Sequence, residues 1–217
     1  MIPAVILASG RSTRMGGAKA LLTFPSSTVT FLARIVTVVL EGGVADALVV
    51  GRPDDQALRR EVERALETAE AMGPVPLQPP APRVRFIENH RADTGQLSSL
   101  IAGLNAADRS GVRAILVTPV DLPLFRAGTV ARLLAAVSST SFPIVRATHN
   151  GHHGHPVIFG RAVFDALRRA DPDIGAKAVL RSHPVLDVEL DDPGVLQDID
   201  TPDDYARLLG ATLNLEP

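Results

Sequence analysis

Residues 2–8, Ile-Pro-Ala-Val-Ile-Leu-Ala, form an apolar run that breaks off at Ser9-Gly10 into a loop holding Gly10, Gly16, Gly17, Arg11, Arg14 and Lys19. An uninterrupted apolar run with β-branched members predicts a strand covered on both faces, the signature of a parallel sheet inside an α/β domain. No Asp or Glu precedes Glu41, so the loop has no local counter-charge. Such a loop suits an anion. Glycine lets the backbone approach a ligand, its N–H groups can point at phosphate oxygens, and Arg and Lys bring charge. A basic, flexible strand-to-helix turn is the plainer alternative.

Two phosphate-loop patterns do not apply. Lys19 lies between Ala18 and Ala20 and lacks the following Ser or Thr of the triphosphatase loop, and five other residues separate Gly10 from Gly16, against the dinucleotide spacing. A net charge of −2 and pI near 6.3 argue against a general nucleic-acid binder, and one Tyr with no Trp leaves few platforms for stacking bases. The absence of Cys excludes a disulfide framework, a thiolate metal site and a Cys nucleophile. No run of 18 apolar residues occurs, so no membrane association and a cytoplasmic location are expected.

Further along, 28–40 repeats at helical spacing and stops at Gly42-Gly43, 44–50 reads as a second buried strand, and 54–72 as a charged helix. The five prolines of 73–82 predict an exposed, variable connection. Strands are expected at 84–87, 114–118, 143–147 and 185–190, and helices at 125–137, 162–169 and 175–181. Thr94-Gly95 opens a helix whose first turn carries Ser98 and Ser99, which suits capping of free N–H groups. Asp121 follows the fourth strand in Pro-Val-Asp-Leu-Pro, where an acid is either a cap or a ligand-site residue at a strand's carboxyl end. Four histidines fall in 149–155; a zinc site, a plain hairpin and a substrate-lining turn are the readings. Thr201-Pro202-Asp203 marks the start of a last helix.

Leu7, Ala8, Gly10, Ser12, Arg14, Met15, Gly16, Lys19, Leu21 and Leu22 match the pattern Leu-Ala-Ala-Gly-x-Ser-x-Arg-Met-Gly-x-x-Lys-x-Leu-Leu. The chain thereby resembles the MobA-like nucleotidyltransferases, with Ser9 replacing the second Ala. Asp173-Ile174-Gly175-Ala176-Lys177-Ala178 is similar to that family's Asp-x-Gly-Ala-Arg-Ala, and Asp198 to Asp204 to its closing motif. The resemblance implies a three-layer α/β/α sandwich with a mostly parallel sheet, of GT-A-like nucleotidyltransferase type. It implies one domain over 1–217, with 1–125 mainly binding the nucleotide and 126–217 mainly the acceptor.

The roles it implies are residue by residue. Arg14 and Lys19 hold phosphates, and Asp121 is catalytic. Leu7, Ala8, Ser9, Gly10, Arg11, Gly16, Thr94, Gly95, Ser98 and Ser99 contact the nucleotide. Asp121 and Asp200 hold Mg²⁺, Asp198 is structural, and His155 with Pro156 face the acceptor. The molybdenum cofactor cytidylyltransferase branch is the nearest in pattern, implying CTP, a phosphate-bearing acceptor such as molybdopterin, and a molybdoenzyme client. A GTP-using guanylyltransferase, a sugar- or alditol-phosphate cytidylyltransferase and a non-catalytic nucleotide- or cofactor-binding chaperone are the alternatives.

Overall fold

The computed structural model describes residues 1–11, 18–71 and 83–210. The expected connection at 73–82 and the end of the second helix at Met72 lie outside them. Seven strands form one sheet: β1 (Ala4–Leu7), β2 (Asp46–Gly51), β3 (Arg83–Glu88), β4 (Ala114–Pro119), β5 (Ile144–His149), β6 (His152–Gly160) and β7 (Val185–Glu189), in the order β3-β2-β1-β4-β6-β5-β7. Every pairing is parallel except those of β6 with β4 and β5.

The apolar runs explain the layers. All residues of β1, β2 and β4 are buried, because their side chains alternate between two covered faces. Ile6, Val49 and Leu116 pack with helices α1 (Phe31–Glu41), α2 (Gln56–Ala71) and α4 (Ala127–Ser139) on one side. Val5, Leu48 and Ile115 pack with α3 (Gln96–Ala107), α5 (Phe164–Arg168) and α6 (Lys177–Ser182) on the other. Each such fully buried aliphatic side chain contributes roughly 1.5–3 kcal/mol. Gly103 lets α3 lie against the sheet: a Cβ there would stand 2.2 Å from Val5 Cγ1.

The chain runs outward from β1 to β2 and β3, then crosses back to β4 on the opposite flank of β1. That reversal makes the carboxyl ends of β1 and β4 the crevice where an open α/β sheet binds its ligand. A third, small cluster lies beside it. Phe24, Phe31, Ile199 and Leu208 are buried together, with Phe24 and Phe31 ring centroids 5.2 Å apart and Tyr205 edge-on to Phe31 at 6.1 Å. Tyr205 Oη also donates to the Thr23 carbonyl at 2.8 Å. The cluster therefore docks helix α7 (Pro202–Gly210) onto the segment following Lys19.

The histidine segment is a β-hairpin, the second of its expected readings: His149 ends β5, and His152, His153 and His155 lie in β6. Only Asn150 and Gly151 make the turn, both at positive φ (50° and 75°), as a two-residue hairpin requires. His155 and Pro156 sit inside β6.

Candidate active site

Asp121 follows the end of β4 and faces the loop that leaves β1. Lys19 Nζ donates to Asp121 Oδ2 at 3.5 Å and to Asp200 Oδ1. The lysine side chain is only 11% exposed, so its charge is compensated by two carboxylates separated from it by about half and nearly all of the chain. Burial pushes the Asp121 carboxyl above the usual carboxylate range; Lys19 pulls it back in part and Asp200 adds to the rise.

Backbone contacts bring the two acids together. The Ile199 amide donates to the Asp121 carbonyl at 2.8 Å. Asp200 is then fixed by the start of α7, where Thr201 Oγ1 accepts from the Asp204 amide at 3.2 Å and Asp204 Oδ2 accepts from the Thr201 amide at 2.8 Å and the Asp200 amide at 3.2 Å. This is a reciprocal capping box with Asp at its third position. Donation from the Thr201 hydroxyl, followed by Arg207, holds the Asp204 carboxyl down at about 2.

A cavity of about 290 Å³ opens beside Lys19 and Asp121 at the ends of β1, β2 and β4; Asp200 is not among its lining residues. Leu7, Ala8, Ser9, Gly10, Arg11, Lys19, Gly95, Ser99 and Asp121, all expected as site residues, line it. Arg14 and Gly16 lie outside the described residues. Thr94 and Ser98 are not among the lining residues: the Thr94 hydroxyl donates to the Arg91 carbonyl at 2.8 Å and the Ser98 hydroxyl to the Gly95 carbonyl at 2.7 Å. Neither serine caps α3, whose N-cap is Gly95 at φ 99°. Asn89 instead donates to both serine hydroxyls, at 2.9 and 3.0 Å, and its side-chain oxygen accepts from the Arg91 amide at 2.9 Å.

Of three polar residues that the sequence reading passed over, Arg52 lines this cavity, and Asp93 and Asn89 bond to residues that do. Arg52, just past β2, donates to the Ser9 carbonyl at 3.1 Å and to Asp93 at 2.7 Å. Asp93 also accepts from Arg11 at 3.0 Å, and these two arginines, Arg52 foremost, hold its carboxyl at about 2. Asn89 follows β3 in the same way. The usable signal was position alone: Arg52 and Asn89 are polar residues just past the carboxyl ends of two parallel strands, the buried β2 and the half-buried edge strand β3. Ser9 is buried and donates to the Val50 carbonyl at 3.1 Å, so the hydroxyl that departs from the family's Ala ties the loop to β2.

A second cavity, of about 800 Å³, adjoins the first, sharing Leu7 and Gln96. His155 lines it and Pro156 does not; Pro156 is buried within the strand. Burial lowers the affinity of the His155 imidazole for a proton, the Val117 backbone offsetting this in part, and its Nδ1 is buried with no hydrogen-bond partner among the described residues. Among the described residues no three His, Asp or Glu side chains converge on a metal position, and His149 and His153 turn instead to the Leu190 carbonyl at 2.8 Å and to Asp187 at 3.5 Å.

The donor chemistry of Asp121 and Asp200 fits a divalent cation. Two carboxylates already converge on one positive charge, and hard cations such as Mg²⁺ take oxygen ligands from one or two carboxylates, completing their shell with phosphates and water.

Comparison with known proteins bears on this geometry. The chain is 27% identical over 206 residues to the purine catabolism protein PucB of Bacillus subtilis, covering 93% of this chain and 92% of that one. It superposes on crystal structures of Rv0371c from Mycobacterium tuberculosis H37Rv, at 27% identity, TM-score 0.72 and coverage of 98% and 100%. A manganese complex of the same protein superposes at 26% identity and TM-score 0.69, covering 97% of this chain and 99% of that one. The family model described as the MobA-like NTP transferase domain matches residues 4–188, ending before Asp200. With that match over most of its length, on a seven-stranded, mostly parallel GT-A-like sheet, the chain belongs to the MobA-like NTP transferase family of nucleotidyltransferases.

Proposed function

We propose that this nucleotidyltransferase transfers CMP from CTP to a phosphate-bearing acceptor, molybdenum-loaded molybdopterin, with Mg²⁺ as its metal. The observation that carries this reading is the convergence of Asp121 and Asp200 on the Lys19 ammonium, with Lys19 and Asp121 lining one cavity and a second, larger cavity adjoining it. The preference for CTP rests on Ala8-Ser9-Gly10 and Ala18-Lys19, where the guanylyltransferase branch carries Gly-Gly and Asp-Lys.

An acceptor phosphate oxygen attacks the α-phosphorus; the new P–O bond forms as the bond to the α,β-bridging oxygen breaks, and pyrophosphate leaves with the electron pair. Charge accumulates on the entering and departing oxygens, so fixed countercharge is the main demand on the protein. Asp121 and Asp200 would hold the Mg²⁺, which supplies Lewis-acid neutralisation of the phosphate oxygens when bound. Lys19 and Arg14 bind the β- and γ-phosphates. Leu7 to Arg11, Gly16 and Gly95 take the nucleotide by close backbone approach, and Ser99, Ser98 and Thr94 form the base-proximal turn. His155, beside Pro156, offers a neutral imidazole to the acceptor. A phosphate acceptor is already ionised and needs no general base.

Pyrophosphate release measured with CTP, GTP, ATP or UTP, each with Mg²⁺ and molybdenum-loaded molybdopterin, tests the proposal. Acceptor-dependent release with CTP in excess of the others is expected. Release with GTP alone would move the chain to the guanylyl branch, and nucleotide binding without release would overturn transfer altogether.

A further inference from the structure

The larger cavity has an apolar floor and a charged wall. Leu97, Leu100, Val117, Val157 and Phe159 form the floor, and Gln96, His153 and His155 are polar groups on the same lining. The wall is one face of α6: Ala176, Lys177, Leu180 and Arg181 line the cavity, the i, i+3, i+4 spacing of a single helical face, while Val179 is buried in the core. Lys177 and Arg181 stand one turn apart, where like charges destabilise a helix, and among the described residues neither forms an ion pair. Arg146, on β5, is matched by Asp187 at 2.8 and 3.2 Å, so its charge is already balanced. Asp173 is the one carboxylate among the described lining residues. Lys177 and Arg181 are both exposed and both line the cavity, so a ligand there that brings negative charge can pair with them.

We infer that Lys177 and Arg181 grip an anionic group of the acceptor other than the phosphate that attacks, so that the cavity selects an apolar-bodied acceptor charged at both ends. This rests on the transfer reading only in taking the cavity as the acceptor's. The phosphate reaches the α-phosphorus of the nucleotide through the junction at Leu7 and Gln96, and the second anion remains at α6. Sugar and alditol phosphates, with one anionic end, leave the cations of the wall unmatched.

The test uses two fluorescent probes that share an aromatic body and differ in charge, 1-anilinonaphthalene-8-sulfonate and neutral N-phenyl-1-naphthylamine, titrated into the intact protein and its Lys177→Met/Arg181→Met variant. The variant is expected to weaken sulfonate binding about tenfold or more, the loss of charge-assisted hydrogen bonds. Binding of the neutral probe and of CTP should stay within about twofold. Equal weakening of both probes, unchanged sulfonate binding, or no sulfonate binding by the wild-type chain would overturn the inference. The measurement needs no turnover: a chain that shows the split yet releases no pyrophosphate keeps the grip and loses the transfer reading, and the reverse outcome removes the grip alone.

Discussion

The amide of Ile199 donates to the carbonyl of Asp121 at 2.8 Å, and this one backbone bond brings together the two acids that share Lys19. Everything distal to it, the capping box at Thr201 and the aromatic cluster under α7, serves to keep Asp200 in place. Chemistry at the ends of β1 and β4 therefore depends on a segment near the other terminus.

In the proposed mechanism Lys19 stands where the two carboxylates would receive a cation, and would compete with metal until phosphates drew the ammonium away. Lys19→Met is expected to lower transfer by about 10²-fold or more, the scale for one preorganised electrostatic contact. It should also strengthen manganese binding in the absence of nucleotide. Calorimetric titration of both proteins with Mn²⁺ checks the second effect; weaker binding in the variant would contradict it.

Asp121 gives a pH prediction. Its folded-state pKa is raised, chiefly by burial, so the folded chain binds more protons than the unfolded one between the ordinary and the raised value. Stability from this group thus falls as pH rises through that window, and the ionised form is a cost at pH 7. Asp121→Asn should leave Tm at pH 7 unchanged or raised by roughly 2–4 °C, the shift for each kcal/mol in a domain of this size, while transfer falls about 10²-fold. A clear drop in Tm by calorimetry would show that the carboxylate stabilises the fold.

At the start of α7 the sign is the reverse. The Asp204 carboxyl lies at about 2, so the stability it adds is present above the unfolded value near 3.8 and is lost as pH falls toward 2. Thr201→Ala removes the hydroxyl from the same box and should cost about 1 kcal/mol and weaken Mn²⁺ binding by loosening Asp200. Urea unfolding and metal titration measure the two effects together.

Arg52→Met should raise the KM for the nucleotide about tenfold, the loss of one charge-assisted contact to the Ser9 loop, with kcat within about threefold. Steady-state kinetics over a range of CTP separate the two constants. An unchanged KM would reduce Arg52 to a surface ion pair with Asp93.

Gly103→Ala should destabilise the chain by about 1–3 kcal/mol through overpacking, because its Cβ would enter the space of Val5 Cγ1, 2.2 Å away. The midpoint of urea unfolding reads this directly.

How much of this was legible in the sequence follows from the range of each interaction. The continuous apolar runs of β1, β2 and β4 and the helix closed by Gly42-Gly43 carry local signals, and their positions agree with the expected strands and helix to within a few residues. Asp121 and Asp200 stood out as acids next to chain punctuation. By contrast, β6 runs antiparallel between β4 and β5, a pairing that no local pattern encodes, and its two glycines masked the alternation that would have marked His155 as a strand residue. Arg52 and Asp93 are 41 residues apart in the chain, and Arg11 and Asp93 82, so their meeting above the cavity exists only in the folded sheet. Ser98 and Ser99 sat where caps are expected, and only the buried Asn89 opposite them shows why their hydroxyls turn elsewhere.

The most direct test of the central claim is a crystal grown with CTP and Mn²⁺, with the metal located by its anomalous scattering. The account places the manganese within coordination distance, roughly 2.0–2.6 Å, of a carboxylate oxygen from both Asp121 and Asp200, with Lys19 moved onto the triphosphate. A metal bound away from either acid, or a triphosphate out of reach of Lys19, would contradict it.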